Sequence, residues 1–221
     1  ANTTGANNTG LGTNALSANT TAEANVAVGV NALMANTTGA YNVAVGMSAL
    51  DAATTAAHNT ALGYNTMGAT TTGSYCVAVG GAALSLHTTG ADNTAVGYGA
   101  MRDLTTGTNN TSLGTYALAA LTSTAGNTAI GKAALGASVT GSYNTALGYL
   151  ALTACLDGGF NVAVGKSAGT AVTSGAQNTL IGALAGDALT TGGENTIVGY
   201  NIAANAVGAV RQVLIGSNFT A

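Results

Sequence analysis

The chain has 221 residues, a formal net charge of −3 at pH 7, 33 glycines and neither proline nor tryptophan, and only 5% of its residues are charged. Because a typical soluble domain is about a quarter charged, this composition excludes an ordinary globular domain and favours a repeat architecture. Its four Lys and Arg residues are too few for nucleic-acid binding, so no nucleic-acid partner is expected. No apolar stretch reaches the ~18 residues of a membrane-spanning helix, so no membrane insertion is expected.

The sequence repeats every 17 residues without insertion, and 221 residues equal thirteen such periods. With Asn as position 1, the consensus is N-[TV]-A-[VLI]-G-x-x-A-L-x-x-x-T-T-G-x-x. A helical repeat needs about 33 residues, whereas 17 suit one coil of a β-solenoid. The predicted fold is therefore all-β, a parallel β-solenoid of thirteen 17-residue coils with two short strands per coil.

Position 1 is Asn in eleven coils, and the exceptions are Cys76 and Gln212. Stacked Asn side chains are expected to form a structural amide ladder, each bonded to its copy one coil away or to a turn. A glycan or metal role would need a second converging polar set, which the sequence does not contain. The predicted ladder consists of Asn25, Asn42, Asn59, Asn93, Asn110, Asn127, Asn144, Asn161, Asn178 and Asn195.

Positions 2 to 5 predict a strand followed by a glycine turn. Position 2 is always Thr or Val and position 4 is always Val, Leu or Ile, which is the β-branched enrichment typical of a strand. Position 5 is always Gly, so a positive φ or a close backbone approach is expected there. The predicted turn glycines include Gly29, Gly46, Gly63, Gly80, Gly97, Gly114, Gly131, Gly148, Gly165, Gly182 and Gly199.

Both faces of this strand are apolar or small, with positions 2 and 4 on one side and positions 1, 3 and 5 on the other. Every charged residue falls at position 6, 10, 11, 14, 16 or 17, which predicts that positions 1 to 5, 8 and 9 are buried. One face can line the core of the coil, but the other needs a cover. The sequence therefore predicts a homo-oligomer.

Tyrosines lie only at positions 6, 7 and 17, where a half-buried edge would let each hydroxyl reach water. An alternative is that the row at position 6 contacts a receptor or a sugar, and this row consists of Tyr64, Tyr98, Tyr149 and Tyr200.

His58 and His87 are expected to be surface residues. Cys76 and Cys155, four coils apart, are expected to lie beyond disulfide reach of each other, and Cys76, which replaces a ladder Asn, is expected to be a packed thiol.

The sequence contains no pattern that predicts chemistry. Acids are scattered without the repeated carboxylate pair of a glycosidase, and the histidines and cysteines lack the spacing of zinc ligands. No catalytic residue, metal or cofactor is expected, and the chain is predicted not to be an enzyme. The Thr pair at positions 13 and 14 leaves ice binding as an alternative, although Val139, Leu156 and Asp157 interrupt the column.

Along the chain, residues 1–160 form regular coils and residues 161–221 are expected to be repacked coils that approach a junction. There, position 3 becomes large at Leu180, Ile197 and Leu214, while position 9 becomes small at Gly169, Gly186, Ala203 and Thr220. Large at 3 with small at 9 would conserve core volume. The register runs to both ends without the polar cap that solenoids need, so a single array within a longer fibre is expected.

Two stretches, Asn93-Thr94-Ala95-Val96-Gly97-Tyr98-Gly99-Ala100-Met101 and Asn144-Thr145-Ala146-Leu147-Gly148-Tyr149-Leu150-Ala151-Leu152, occur among Thr-Thr-Gly turns. They resemble the repeat arrays of phage tail-fibre-like proteins and, more distantly, the head repeats of trimeric autotransporter adhesins. The resemblance implies a left-handed, trimeric β-roll that projects from a virion or cell and holds a binding tip away from its surface.

The expected function is thus that of a structural shaft in a virion or extracellular fibre that supports host attachment. The expected partners are further copies of the chain and a cell-surface receptor or glycan. A bacterial surface adhesin or filament is the first alternative. An ice-binding solenoid and a glycan-cleaving tailspike follow it.

Overall fold

The structure is a computed structural model that describes residues 2–138, 140–204 and 207–218. The chain divides into two compact units, Ala1–Asn109 and Asn110–Ala221. This division differs in place from the expected junction at 160/161, which stays a prediction. No helix long and apolar enough to cross a membrane occurs in the described ranges.

Each unit is a stack of short strands that follow one another in chain order. The first unit contains β1 Thr9–Leu11, β2 Val26–Val28, β3 Val43–Val45, β4 Thr60–Leu62, β5 Val77–Val79 and β6 Thr94–Val96. The second unit contains β7 Thr111–Leu113, β8 Thr128–Ile130, β9 Thr145–Leu147, β10 Val162–Val164, β11 Thr179–Ile181, β12 Thr196–Tyr200 and β13 Val213–Ser217. All are parallel, so the predicted parallel β-solenoid is confirmed.

The strands pair in a register of one 17-residue period. Val26 in β2 lies opposite Val43 in β3, which lies opposite Thr60 in β4. The ladder continues beyond the strand, because Val26 N–H donates to the Asn42 carbonyl at 2.8 Å and Gly29 N–H to the Leu11 carbonyl at 2.8 Å. Within each unit the coils therefore repeat the same backbone hydrogen bonds, which explains why proline is absent.

The prediction of two strands per coil is wrong, since each coil in the described part of the chain has one strand. The second side, at the Thr-Thr-Gly segment, is still hydrogen-bonded between coils. Thr37 N–H and Thr38 N–H both donate to the Thr54 carbonyl, at 3.0 and 3.2 Å. Two successive N–H groups that share one acceptor require a bend, whereas an extended strand points them to opposite sides.

The core of each coil is thin and built from small side chains. In the second coil it contains Ala27 at position 3, Ala32 at position 8 and Leu33 at position 9, all fully buried. Positions 2 and 4 point outward instead, and Leu62 of β4 is 40% exposed. The expectation that positions 1 to 5 are all buried is therefore wrong for positions 2 and 4 of a single chain, and the glycines of position 5, such as Gly29, are only half-buried. Positions 8 and 9 are buried as expected, but in turns.

The coil closes through four corners with positive φ, at positions 5, 7, 9 and 17. Gly29 at position 5 has φ 138°, and a Cβ there would lie 2.5 Å from the Gly46 carbonyl oxygen. This position needs glycine both for its backbone angle and for space. At positions 7 and 9, Asn31 and Leu33 adopt the left-handed region with φ 59° and 49°, a strain that the repeated ladder must hold.

In the second unit, large residues at position 3 pack against small residues at position 9, as the sequence suggested. The contacts involve position 9 of the same coil and also of the preceding coil. A Cβ on Gly169 would lie 2.6 Å from Cδ1 of Leu180, and one on Gly186 would lie 2.8 Å from its Cδ2. Leu180 therefore fills the room left by a small residue in its own coil and in the preceding one. In the coil of Gly169, position 3 is the small Ala163, and Leu180 of the next coil supplies the large side chain beside this glycine. Thr220 lies outside the described residues.

Candidate functional surfaces

The Asn residues at position 1 form a buried column of hydrogen bonds inside each unit. In the first unit, Asn42 Nδ2 donates to the Ala56 carbonyl at 2.8 Å and to Asn25 Oδ1 at 3.2 Å. Its Oδ1 accepts from Asn59 N–H at 3.0 Å. The second unit repeats this pattern, for example between Asn161 and Asn178. These amides are engaged in closing and stacking the coils, which is a structural role.

Cys76 occupies one place of this column. Its N–H still donates to Asn59 Oδ1 at 3.0 Å, and its thiol lies 3.8 Å from the Gly90 carbonyl. Burial raises the pKa of the Cys76 thiol, against smaller opposing contributions that include hydrogen bonds from Asn93. Cys155 is also free and buried, and burial raises the pKa of its thiol to about 11. Neither thiol is poised to react as a thiolate.

A second buried column, at position 12, was not found by sequence reasoning. Asn36 Nδ2 donates to Asn19 Oδ1 at 3.3 Å, and further along Thr70 Oγ1 lies 3.0 Å from His87 Nδ1. The expectation that His87 is a surface residue is wrong: it is fully buried, and burial lowers its pKa to about 4. Position 12, like position 1, never carries a charge, but the exposed positions 2 and 4 carry none either, so the sequence contains no signal that sets position 12 apart.

The outward side of the strands forms an uncharged surface that we call the strand face, with Thr or Val at position 2 and Val, Leu or Ile at position 4. Charge is absent from it in every coil. Leu113 and Leu147, at position 4 of β7 and β9, are 49% and 43% exposed. Since large apolar side chains recur at position 4 of successive coils, and exposed apolar rows of this kind mark contact sites, the strand face has the properties of a contact surface.

The four tyrosines of position 6 border the strand face and are exposed. Tyr64 and Tyr98 lie in the first unit, and Tyr149 and Tyr200 in the second. A Cβ on Gly81 would lie 3.5 Å from Cδ2 of Tyr98, so that ring packs over the preceding coil. Tyr149 has a different setting, because Lys132 and Lys166 occupy position 6 of the coils before and after it.

A column of stacked rings follows position 17 in the first unit. His58 lies between Tyr41 and Tyr75, with ring centroids 4.9 and 5.0 Å apart. The stack extends to Glu23, whose Oε1 accepts a hydrogen bond from the Tyr41 hydroxyl at 3.1 Å. His58 is exposed, in agreement with the expectation of a surface residue. Because the ring faces are covered by one another, this column offers a ligand mainly ring edges.

The threonines of positions 13 and 14 differ in exposure. At position 13, Thr37 Oγ1 donates to the Thr54 carbonyl at 3.0 Å, and neighbouring coils repeat this bond. At position 14, Thr38 and Thr55 are exposed. The pair therefore offers one outward rank of hydroxyls. Val139, an expected interruption of the column, lies outside the described residues.

No three His, Cys, Asp or Glu side chains are grouped as metal ligands in the part of the chain that the structure describes. The charged side chains are all exposed or half-exposed, as the sequence predicted. Comparisons of the chain with protein-family profiles, with curated protein sequences and with solved structures found no match.

Proposed function

We propose that this chain is the structural shaft of an extracellular or virion fibre, of the phage tail-fibre type, that supports host attachment. The observation that carries the proposal is the uncharged, outward strand face, which accompanies a backbone ladder of constant register inside each unit. Such a stack resists local opening because neighbouring coils within a unit are hydrogen-bonded to one another. It has no need of a catalytic group, and we propose that the chain is not an enzyme.

The partner that best fits the strand face is a second copy of the chain. A cover for this face must be free of charge, pack against Thr, Val, Leu and Ile side chains, and repeat at the coil spacing of ~4.8 Å. The chain itself presents such a surface, so copies in parallel register would bury position 2 and 4 side chains against their equivalents. Three copies would give the trimer that the resemblance implies.

The proposed location is the virion or the cell surface. An outer surface of Thr, Asn, Ser and Gly with 4 Lys and Arg residues in 221 presents few sites to trypsin-like proteases. The alternative within the same class is a bacterial surface adhesin or filament. Finding a baseplate-binding region encoded next to this array would favour the phage fibre, and finding an outer-membrane anchor would favour the bacterial adhesin.

Mass measurement in solution, joined to electron microscopy, tests the proposal. The chain has a mass of 21.0 kDa. A shaft requires a stable oligomer and particles that are long and of uniform width. A monodisperse species of the single-chain mass at micromolar concentration would refute it.

The exposed rank of position 14 threonines supports ice binding as a second candidate. Only one rank is available, because the hydroxyls of position 13 donate to carbonyls of the next coil. Thermal hysteresis of the purified protein tests this function. Its absence would remove the candidate without affecting the shaft proposal.

A further inference from the structure

We propose that Lys132, Tyr149 and Lys166 form a binding site for an anionic polysaccharide, which we call the lysine–tyrosine row. The site goes beyond the shaft role and does not depend on it. It lies within the second unit, at position 6 of three consecutive coils, on the border of the strand face.

The backbone fixes the three side chains in line. Leu150 N–H donates to the Lys132 carbonyl at 3.1 Å, and Ser167 N–H donates to the Tyr149 carbonyl at 2.8 Å. The coils that carry these residues are therefore direct neighbours in register. At the strand spacing of ~4.8 Å, the two lysine backbones are roughly 10 Å apart. The row is thus held by the coil ladder, so a ligand would meet positions that are already ordered.

The two lysines differ from the two arginines in their partners. Arg102 pairs with Asp103 at 2.7 Å, and Arg211 pairs with Glu194 at 2.8 Å. Neither lysine has an ion-pair partner among the described residues, and both are exposed. Among the described residues, the two Lys side chains without an ion-pair partner thus lie at the same repeat position, one coil to either side of an exposed tyrosine.

The surroundings of the row leave this positive charge uncompensated. The three coils of residues 127–177 contain one acid, Asp157, against the two lysines, a net charge of 2 − 1 = +1 in a chain of −3. Asp157 lies at position 14, in the threonine turn. The strand side chains beside the row, such as Leu147, are apolar. An anion approaching position 6 therefore meets attraction without a competing carboxylate in the row.

The chemistry of the row fits a sugar polymer that carries carboxylate or phosphate groups. An ammonium group binds either anion as a point charge, while a tyrosine offers an apolar ring for the C–H face of a sugar and a hydroxyl for its polar edge. Tyr149 is 46% exposed and available for such a contact. Nucleic acid fits less well, because a single strand carries a phosphate about every 3.4 Å and would leave most of them unpaired.

Binding by the full-length protein tests the site. The probes are hyaluronate for carboxylate groups, phosphorylated mannan for phosphate groups, neutral dextran, and double-stranded DNA. We expect binding to one or both anionic polysaccharides, weakened by salt. The double variant Lys132→Gln and Lys166→Gln should bind about tenfold more weakly, which equals about 1.4 kcal/mol. Tyr149→Ala should lose affinity severalfold.

Matched variants separate a site from a general charge effect. Arg102→Gln with Arg211→Gln changes the net charge by the same amount and should bind as the parent does. Tyr98→Ala is the control for Tyr149→Ala. The proposal is overturned if neither anionic polysaccharide binds, if both double variants lose equally, or if DNA binds as tightly. The mass of each sample is measured in parallel, so failure of the site and failure of the shaft proposal are distinguishable.

Discussion

At the scale of single residues, His87 is the buried group whose ionisation the fold opposes most clearly. Burial holds its pKa near 4, against 6.5 for an unburied histidine. The neutral ring therefore contributes stability that is complete above pH 6.5 and is lost as the pH falls towards 4, where only the unfolded chain takes up the proton. Over those 2.5 pH units the loss amounts to about 3 kcal/mol.

We expect His87→Leu to remove most of this acid sensitivity, because leucine cannot take up a proton in the unfolded chain. Leucine should also fit this place, since Leu104 and Leu121 are buried at the same position of later coils. The measurement is the guanidinium concentration at half-unfolding, determined from about pH 7 down to about pH 4. The control is His58→Gln, at an exposed position, which should keep the acid sensitivity of the parent. Equal acid sensitivity in the parent and His87→Leu would contradict the assignment.

A second residue-scale prediction concerns the turn glycine of position 5. Gly29→Ala should destabilise the chain by about 3 kcal/mol or more, because the backbone has φ 138° and the new Cβ would lie 2.5 Å from a carbonyl oxygen of the next coil. Gly81→Ala is the matched control. Its Cβ would meet Tyr98 at 3.5 Å, an ordinary contact. Thermal unfolding of both variants decides, and a Gly29→Ala melting curve like that of Gly81→Ala would reject this explanation.

At the scale of the column, the Asn ladder predicts that its defect at Cys76 can be repaired. Cys76→Asn should raise the free energy of unfolding by about 1 to 2 kcal/mol, because an amide supplies stronger donors to Gly90 and Asn59 and a stronger acceptor to Asn93 than a thiol does. Cys76→Ala, which removes the thiol without adding an amide, should be destabilised. Chemical unfolding distinguishes them. A Cys76→Asn protein no more stable than the parent would show that the column has adapted to sulfur.

The 17-residue period and the β-branched residues of positions 2 and 4 were sufficient to predict the parallel solenoid and the place of its strand. They were not sufficient to show which strand face is internal, since Ala at position 3 and Val at position 2 are both compatible with burial. The Thr-Thr-Gly side resembles a strand in composition. Only its shared carbonyl acceptors reveal a bend.

The buried column of position 12 was missed for a related reason. Its members range from Asn19 through His87 to Leu189, so the column has no consensus residue. The exclusion of charge from position 12 does not identify the column either, since the exposed strand face shares that property. The left-handed corners at positions 7 and 9 were likewise hidden, because Leu33 and similar residues disfavour that conformation on their own. The coil-to-coil hydrogen bonds impose it.

At the scale of the whole molecule, the proposed oligomer depends on the strand face, and adding charge to that face tests it. Leu113→Lys with Leu147→Lys should dissociate the oligomer while each chain stays folded. Both side chains are outside the coil core, so a single chain can keep the new ammonium groups in water. Between copies, the same groups would be buried without a partner, which costs several kcal/mol per ion.

The control variant, Ser123→Lys with Ser174→Lys, adds the same charge at exposed positions of the threonine turn. It should keep the mass of the parent oligomer, while the strand-face variant should fall to the single-chain mass of 21.0 kDa. Circular dichroism on both samples verifies that the β structure persists. Dissociation of both variants would mean that net charge controls assembly. A strand-face variant that keeps the parent mass would place the contact elsewhere and remove the main support for a shaft.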